Sequence, residues 1–309
     1  MEEESPHLPR VSAPPRIFDR DLLRKRLDRA AGSYAGFLRE RAAEDAADRL
    51  STILRTFPLA VDLGARDGAL ARALVGTPAA ARVGTLIEAD LSQRMLRGRD
   101  GVRIVLDEER LPFAAESLNL VVSLLSLHWT NDLVGALVQI RRALKPDGLF
   151  IGALFGGATL VELRQSLIAA EAEVRGGAGL RVSPFADGFD AAGLLQRAGF
   201  ALPVADVDRI TVRYDHPLKL MTDLRAMGET NALVDRAREP LSRPVLARAF
   251  EIYRERFALA DGRLPATFEI ITATGWAPDP SQQQPLKPGS AKMRLADALG
   301  VVEHRLTDT

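Results

Sequence analysis

The stretch from Leu59 to Gly68 constrains the fold more than any other part of the sequence. Its first half, Leu59–Leu63, is an apolar run with the length of a buried strand. The glycines Gly64 and Gly68 predict a tight turn, and a helix is expected to start near Ala69. Such a turn brings backbone N–H groups close to a ligand at the helix N-terminus. The stretch therefore predicts the first unit of an α/β protein, with a ligand site at the turn.

Six further apolar runs have the length of strands, and segments with helical periodicity separate most of them. The later strands are predicted at 83–89, 102–106, 118–125, 149–155, 206–214 and 267–273. Helices are predicted twice within 18–57, after Ala69, in a segment capped by Ser92, and at 132–144, 159–174 and 190–198. This alternation predicts an α/β fold with a doubly wound, Rossmann-like parallel sheet of seven strands, the last two at one edge.

The two ends of the chain lack these periodic patterns. Residues 1–17 are rich in proline and acidic residues, so we expect a flexible arm. The stretch 277–309 is rich in proline, glutamine and glycine and predicts a mobile tail. Between them we expect a single domain, 18–276, made of N-terminal helices (18–57), a cofactor-binding core (58–156) and, later, a helical cover (215–260).

Charge and composition exclude several classes of protein. Lysine and arginine together number 41, as do aspartate and glutamate, so there is no basic excess of the kind that nucleic-acid binding requires. No apolar run is long enough to span a bilayer, and the acidic N-terminus does not resemble a secretory signal. The absence of cysteine fits a reducing compartment, and we expect a cytoplasmic location.

Acidic residues stand at the ends of two of the predicted strands. Asp90 ends the second strand, where a carboxylate can accept hydrogen bonds from both ribose hydroxyls of a nucleoside, and Asp107 follows the third, within reach of an adenine amino group. Taken singly, Asp90 could instead cap a helix and Asp107 could be a solvated turn residue. Together with the glycine turn, they favour an adenosine-containing ligand.

The glycine turn does not match a dinucleotide site. That fingerprint requires G-x-G-x-x-G, whereas only Gly64 and Gly68 are present here. Asp62 would be poorly placed beside a pyrophosphate, but it can receive the ammonium group of an amino acid. S-adenosylmethionine (SAM) meets that requirement and NAD does not.

Four segments resemble class I SAM-dependent methyltransferases: Asp62-x-Gly64-x-x-x-Gly68, Asp90-Leu-Ser92, Asp107 with Leu111-Pro-Phe113, and Leu144-Lys-Pro-Asp-Gly148. More specific segments resemble the methyltransferase-fold complex I assembly factors of mitochondria and alphaproteobacteria. Among them are Phe18-Asp-Arg-Asp21, Leu127-His-Trp-Thr-Asn-Asp132, Ser183-Pro-Phe185 and Asp223-Leu-Arg-Ala-Met-Gly-Glu229. The malonyl-carrier-protein methyltransferases of biotin synthesis are more distantly similar.

The resemblance implies a SAM site and a protein partner. The cofactor-binding residues that it implies are Asp62, Gly64, Ala65, Gly68, Asp90, Leu91, Asp107, Glu108 and, as a lid, Tyr34. The mitochondrial member of the family is held to hydroxylate an arginine of a complex I subunit. The resemblance therefore implies a complex I subunit as substrate, and a place beside the inner membrane during assembly.

Arg66 departs from the family pattern, which usually has glycine in the middle of this loop. Because its side chain is long and charged, we expect it to point to solvent. The alternative is that Arg66 or Asp67 narrows the cofactor pocket and alters SAM binding.

His128 and Trp129 are expected on the rim of the site, after the fourth strand. His128 is either a general base or a hydrogen-bonded wall residue, and Trp129 either contacts substrate or packs in the core. Asn131 and Asp132 are expected to cap the next helix. The four histidines show no metal-binding spacing, so no metal site is predicted.

Three functions remain open from the sequence. The first is a SAM-binding enzyme that acts on an arginine of a complex I subunit. The second is methyl transfer to a small carboxylate or a carrier-bound acid, which needs alignment more than a base. The third is a non-catalytic assembly chaperone with a degraded cofactor loop.

Overall fold

The computed structural model describes residues 15–183, 191–283 and 300. Residues up to Pro278 belong to one compact unit, and a second unit begins at Asp279. The helices are α1 (Arg20–Ala30), α2 (Phe37–Thr52), α3 (Ala69–Leu74), α4 (Leu133–Ala143), α5 (Val161–Arg175), α6 (Ala191–Arg197), α7 (Pro217–Ala226) and α8 (Arg243–Phe257). The strands are β1 (Phe57–Leu63), β2 (Val83–Asp90), β3 (Val102–Val105), β4 (Leu118–Leu124), β5 (Leu144–Phe155), β6 (Ala201–Tyr214) and β7 (Leu264–Trp276).

The strands form one seven-stranded sheet in the order β3-β2-β1-β4-β5-β7-β6. Strands β1 to β5 are parallel, whereas β7 pairs antiparallel with both β5 and β6. The predicted α/β class and the seven strands are confirmed, and the last two strands do lie at one edge. The sheet is mixed rather than wholly parallel, because β7 inserts between β5 and β6 in the opposite direction.

Apolar residues cover both faces of the sheet and continue over one end of it. One face packs against α2, α3, α5 and α8, and the other against α4 and α6. A third cluster, the α1 cluster, joins α1 to the carboxyl end of the sheet; its buried members include Phe18, Leu23, Leu27, Leu91 and Trp129. Helix α1 thus lies over the end of the sheet where ligands of such folds bind.

The predicted helix after the second strand is wrong. Residues 91–98 form turns, although the Ser92 hydroxyl still accepts a hydrogen bond from the Met95 N–H (3.2 Å). The segment ends at Gly98, which has a φ of 71°. So short a segment cannot offset the cost of helix nucleation.

The predicted arm and tail lie mostly outside the described residues, as does the Ser183-Pro-Phe185 segment from its second residue on. The last residue of the predicted arm, Ile17, is held in place. Its N–H donates to the Asn131 side-chain oxygen (2.7 Å), and its carbonyl accepts from the Val234 N–H (2.9 Å).

The region predicted as a helical cover contains α7 and α8, joined by an irregular connection. Within the described part of the chain, no helix is both long and apolar enough to cross a membrane.

Candidate functional site

The acids predicted from the sequence lie at the carboxyl ends of the first three strands, and each of them contacts an arginine. Asp62 on β1 pairs with Arg39, Asp90 on β2 pairs with Arg66, and Asp107 and Glu108 after β3 both pair with Arg20. These residues form what we call the acid–arginine network. Its arginines come from α1, α2 and the glycine turn.

Asp62 is an acid of this network whose pKa is strongly raised. It is fully buried, its Oδ1 lies 3.3 Å from Arg39 Nη2, and its Oδ2 has no hydrogen-bond partner among the residues that the structure describes. Burial raises the pKa of Asp62 to about 6, although the nearby charge of Arg39 opposes the rise. The unpartnered oxygen is a place where a ligand ammonium could donate.

The raised pKa of Asp62 predicts a specific pH dependence of stability. Folding raises this pKa from 3.8 to about 6, so the native state binds the proton more tightly than the unfolded chain does. The contribution of Asp62 is therefore greatest below the unfolded pKa and is lost as pH rises through the native pKa. We expect the free energy of unfolding of the wild type, minus that of Asp62→Asn, to fall by on the order of 3 kcal/mol between about pH 4 and pH 7.

Urea denaturation at several pH values measures this difference. Asp208→Asn, which changes a half-exposed carboxylate, is the control and should show no such trend. A wild-type minus Asp62→Asn difference that stays flat or grows with pH would contradict the prediction.

Arg66 does not point to solvent, and that expectation is wrong. Arg66 is only 1% exposed to solvent, and its backbone φ is 48°. Its backbone N–H (2.8 Å) and Nη1 (2.7 Å) both donate to Asp90 Oδ2, while Nη2 donates to the Ser126 hydroxyl (3.1 Å). Burial alone would lower the pKa of Arg66, but Asp90 and Glu108 raise it above its usual value. The negative charge beneath the loop therefore draws the side chain inward.

The remaining acids of the network are also engaged. Glu108 is buried, pairs with Arg20 and accepts a hydrogen bond from the Ser126 hydroxyl (2.6 Å). Burial would raise the pKa of Glu108, but Arg20 and Arg66 together hold it below its usual value. Asp107 Oδ1 accepts from Arg20 Nη2 (2.7 Å).

The glycine turn has the predicted shape, but its donors are used internally. Gly64 and Gly68 both have a φ of 77°, so glycine suits both positions. The N–H groups of Gly64 and Ala65 donate to the Ala89 carbonyl (2.7 and 2.8 Å), and the Gly68 N–H donates to the Ala65 carbonyl (2.9 Å). The turn therefore does not present these N–H groups to a ligand.

Side chains of the protein also fill the space above both glycines. A Cβ atom on Gly64 would overlap the Ser126 side chain, and one on Gly68 would overlap the Arg99 guanidinium. Together with the Arg66 contact to Asp90, this packing means that side chains of the protein already contact the predicted cofactor residues. In this conformation the predicted cofactor residues do not fit SAM, apart from the open oxygen of Asp62.

The two remaining predicted cofactor residues lie at the border of the network. Leu91 is buried in the α1 cluster. Tyr34 lies between α1 and α2 and packs against the same cluster. Burial raises the pKa of its hydroxyl to about 12, with opposing contributions from Arg39 and Arg66 and a further rise from Glu229.

A second group of polar residues lies beyond the network, around Glu229. His128 and Trp129 belong to a short 3₁₀ helix after β4 (Leu127–Trp129), and Glu229 lies in the connection after α7. The Trp129 indole N–H donates to Glu229 Oε2 (2.8 Å), and His128 Nε2 lies 3.1 Å from the same oxygen. Both rings also contact aromatic neighbours: the Trp129 ring packs against Phe18, and the His128 ring packs against Phe155.

Glu229 and Trp129 line a cavity of about 250 Å³. Its walls are largely apolar and include Leu160, Leu163, Leu167, Val182, Met221, Leu224 and Leu241. Arg181 also lines it but is paired with Glu171 (2.6 Å), and Arg225 is exposed. Ser183, Thr230 and Asn231 complete the lining, so the cavity combines largely apolar walls with a polar side on which Glu229 is the one carboxylate among the described lining residues.

The two residues that follow Trp129 have different roles. Asp132 caps α4 as predicted, accepting from the Gly135 N–H (2.7 Å). Asn131 does not cap this helix. Its Oδ1 accepts from the N–H groups of Ile17 and Phe18, so it ties the start of the folded chain to the site. Among the described residues, no three histidine, aspartate or glutamate side chains are grouped as a metal site.

Sequence reasoning missed the basic partners of the acids and the role of Glu229. Arg39 had a usable signal, because it precedes Ala42 and Ala43 by three and four residues and so shares their buried face of α2. Glu229 was visible only as the last residue of a family-like segment. For Arg20 and Ser126 the sequence carries no signal of comparable strength.

Comparison with known proteins agrees with the geometry on the class of protein. A family model described as a methyltransferase domain matches residues 61–152. Of the solved structures, a Bacillus halodurans protein named as a methyltransferase superposes with a TM-score of 0.51 at 16% identity, covering 76% of this chain and 99% of its own. The YcgJ protein of Bacillus subtilis gives a TM-score of 0.50 at 17% identity, covering 77% of this chain and 99% of its own. The chain has the class I methyltransferase fold.

Sequence relatives define the family more narrowly. The human mitochondrial arginine-hydroxylase NDUFAF5 is 42% identical over 301 residues, which cover 94% of this chain and 86% of the human protein. The malonyl-[acyl-carrier protein] O-methyltransferase of Methylovorus is 32% identical over 308 residues, covering 94% and 96% of the two chains. The protein belongs to the methyltransferase-fold enzyme family that contains the NDUFAF5 arginine hydroxylases and these O-methyltransferases.

Proposed function

We propose that this enzyme binds an arginine side chain of a complex I subunit in the cavity beside Trp129 and modifies it there. The observation that carries the proposal is the Glu229 carboxylate, which two aromatic side chains hold at the wall of a largely apolar cavity. The NDUFAF5 relatives are named as arginine hydroxylases, and their identity of 42% supports the same substrate class.

The geometry around Glu229 suits a guanidinium group. Its Oε2 accepts from Trp129 and contacts His128, while Oε1 accepts no hydrogen bond from any described residue. A carboxylate with a free oxygen forms strong, directional hydrogen bonds with arginine, and the planar guanidinium also stacks on indole rings. The apolar walls would hold the methylene groups of the same side chain.

The cofactor is a separate part of the proposal. The family is SAM-dependent in general, and the acids at the strand ends lead us to propose SAM as the cofactor that this site takes when Arg66 is displaced from Asp90. The unpartnered oxygen of Asp62 supports this, because it could accept from the SAM ammonium group. The present conformation, with Arg66 on Asp90, does not admit the ribose, so we assign no reaction step to SAM.

Two alternative functions are methyl transfer to a carboxylate, which the geometry disfavours, and a non-catalytic role in assembly, which one contact favours. Methyl transfer to a carboxylate would place the acceptor beside Glu229, where like charges repel, and would need a nucleoside on Asp90. A non-catalytic assembly factor is the second candidate, and the burial of Arg66 against Asp90 favours it. That candidate would keep the protein contact and lose the chemistry.

Mass spectrometry of complex I subunits tests the proposal in cells. We expect one arginine of a complex I subunit to carry an added mass, that of one oxygen or of one methyl group, in cells that express the protein and to lose it when the gene is deleted. Wild-type protein should restore the modification. A modified arginine that persists in the deleted strain would contradict the proposal, and a subunit that assembles normally without any modified arginine would favour the non-catalytic candidate.

A binding measurement tests the site directly. The probes are N-acetylarginine amide and N-acetylcitrulline amide, which have nearly the same shape but differ in charge. We expect the arginine probe to bind at least about tenfold more tightly, because only its guanidinium is cationic opposite Glu229. Equal affinities would show that the cavity does not recognise an arginine.

A further inference from the structure

We infer that Arg66 acts as an internal occupant of the ribose position, and that this residue limits how tightly the chain binds an adenosine cofactor. In this fold a nucleoside ligand hydrogen-bonds its ribose to the acid that ends β2. Asp90 is fully buried, and both of its oxygens already accept hydrogen bonds from the protein. Oδ2 accepts from the backbone N–H and the Nη1 of Arg66, and Oδ1 accepts from the Ser92 N–H (2.7 Å).

The contact between Arg66 and Asp90 is held by several buried interactions. Arg66 and Asp90 are both buried, and the second guanidinium arm of Arg66 reaches Ser126, which in turn donates to Glu108. A charge-paired guanidinium with two anchoring points leaves water and ligand little access. A nucleoside would have to displace the guanidinium and compete with a partner that is always present at high local concentration.

The backbone shows what the loop would accept in place of arginine. Arg66 has a φ of 48°, in the left-handed region that favours glycine. Glycine at this position would remove the side chain from Asp90 and would also suit the local conformation. Arg66→Gly is therefore the replacement that opens the ribose position with the least disturbance of the turn.

Titration calorimetry with S-adenosylhomocysteine, the demethylated form of SAM, tests the inference. We expect S-adenosylhomocysteine to bind Arg66→Gly at least about tenfold more tightly than it binds the wild type. Adding Asp90→Asn to Arg66→Gly should abolish the binding gained. Arg72→Ala is the matched control, because it removes a nearby exposed guanidinium that contacts Asp67 and not Asp90.

A second variant covers the case in which Arg66→Gly does not fold. In Arg66→Gln the amide can still donate to Asp90, which keeps the buried acid hydrogen-bonded, but the shorter side chain cannot also reach Ser126. We expect weak but measurable binding of S-adenosylhomocysteine to this variant.

Two outcomes would overturn the inference. One is a wild type that binds S-adenosylhomocysteine as tightly as the folded variants do. The other is a set of folded variants that bind it no better than the wild type. Neither outcome bears on the arginine probe at Glu229, so the inference and the proposed function can fail independently.

Discussion

Replacing Arg39 with methionine is expected to lower the free energy of unfolding by about 3–5 kcal/mol at neutral pH. Arg39 is buried on α2, lies 3.3 Å from the fully buried Asp62, and also donates to the Leu124 carbonyl. Methionine fills similar space but leaves the Asp62 carboxylate without its ion-pair partner. Urea denaturation of the wild type and the variant measures the loss.

Two further variants separate the charge effect from packing. Arg39→Met combined with Asp62→Asn should recover a large part of the loss, because no buried charge then remains unpaired. Arg41→Ala removes an arginine of the same helix that forms an exposed pair with Asp208, and it should cost no more than about 0.5 kcal/mol. Equal losses for Arg39→Met and Arg41→Ala would show that the buried pair carries no special weight.

The loss in Arg39→Met should also depend on pH. Without Arg39, the larger of the two opposing positive charges is gone and the pKa of Asp62 rises further above its native value of about 6. Because a neutral carboxyl needs no counter-charge, stability should return as the pH falls below that raised pKa. The same denaturation series, repeated at acidic pH, reports this recovery.

Replacing Glu229 with glutamine is expected to lower arginine modification by about 100-fold or more, provided the cavity is the substrate site. Glutamine keeps the size of the side chain and can still accept from the Trp129 indole, but it carries no charge for the guanidinium. The measurement is the fraction of modified arginine in complex I subunits, together with the affinity of N-acetylarginine amide.

Trp129→Phe and Glu251→Gln complete this experiment. Trp129→Phe keeps an aromatic wall and removes the N–H that positions Glu229 Oε2, so we expect a smaller loss, about tenfold. Glu251 is an exposed acid of α8 whose replacement should change neither readout. A Glu229→Gln enzyme with unchanged activity and probe affinity would rule out this carboxylate as the arginine contact.

The strands and most helices could be predicted because their signals are local. Alternating apolar and amphipathic segments locate each element, and the glycine turn locates the end of β1. The start of β6 was predicted five residues late, at Asp206 instead of Ala201. This edge strand is largely exposed, and its pairing with β7, not an apolar pattern, extends it.

The acids of the candidate site were predictable for the same reason, since each follows a strand. Their partners were not, because these contacts join distant parts of the chain. Arg20 and Asp107 are 87 positions apart, and His128 and Glu229 are 101 apart. The direction of Arg66 depended on the charge of two buried acids beneath it, which a rule based on side-chain length does not include.

The hydrogen bonds of Asn131 allow the opening of α1 to be measured by hydrogen exchange. Its side-chain oxygen accepts hydrogen bonds from the N–H groups of Ile17 and Phe18, just before α1, and α1 lies over the end of the sheet. Those two protons exchange with solvent only when this hydrogen bond opens. Their exchange rates in deuterated water therefore report how often the segment directly before α1 opens. A ligand bound beneath α1 is expected to lower these exchange rates.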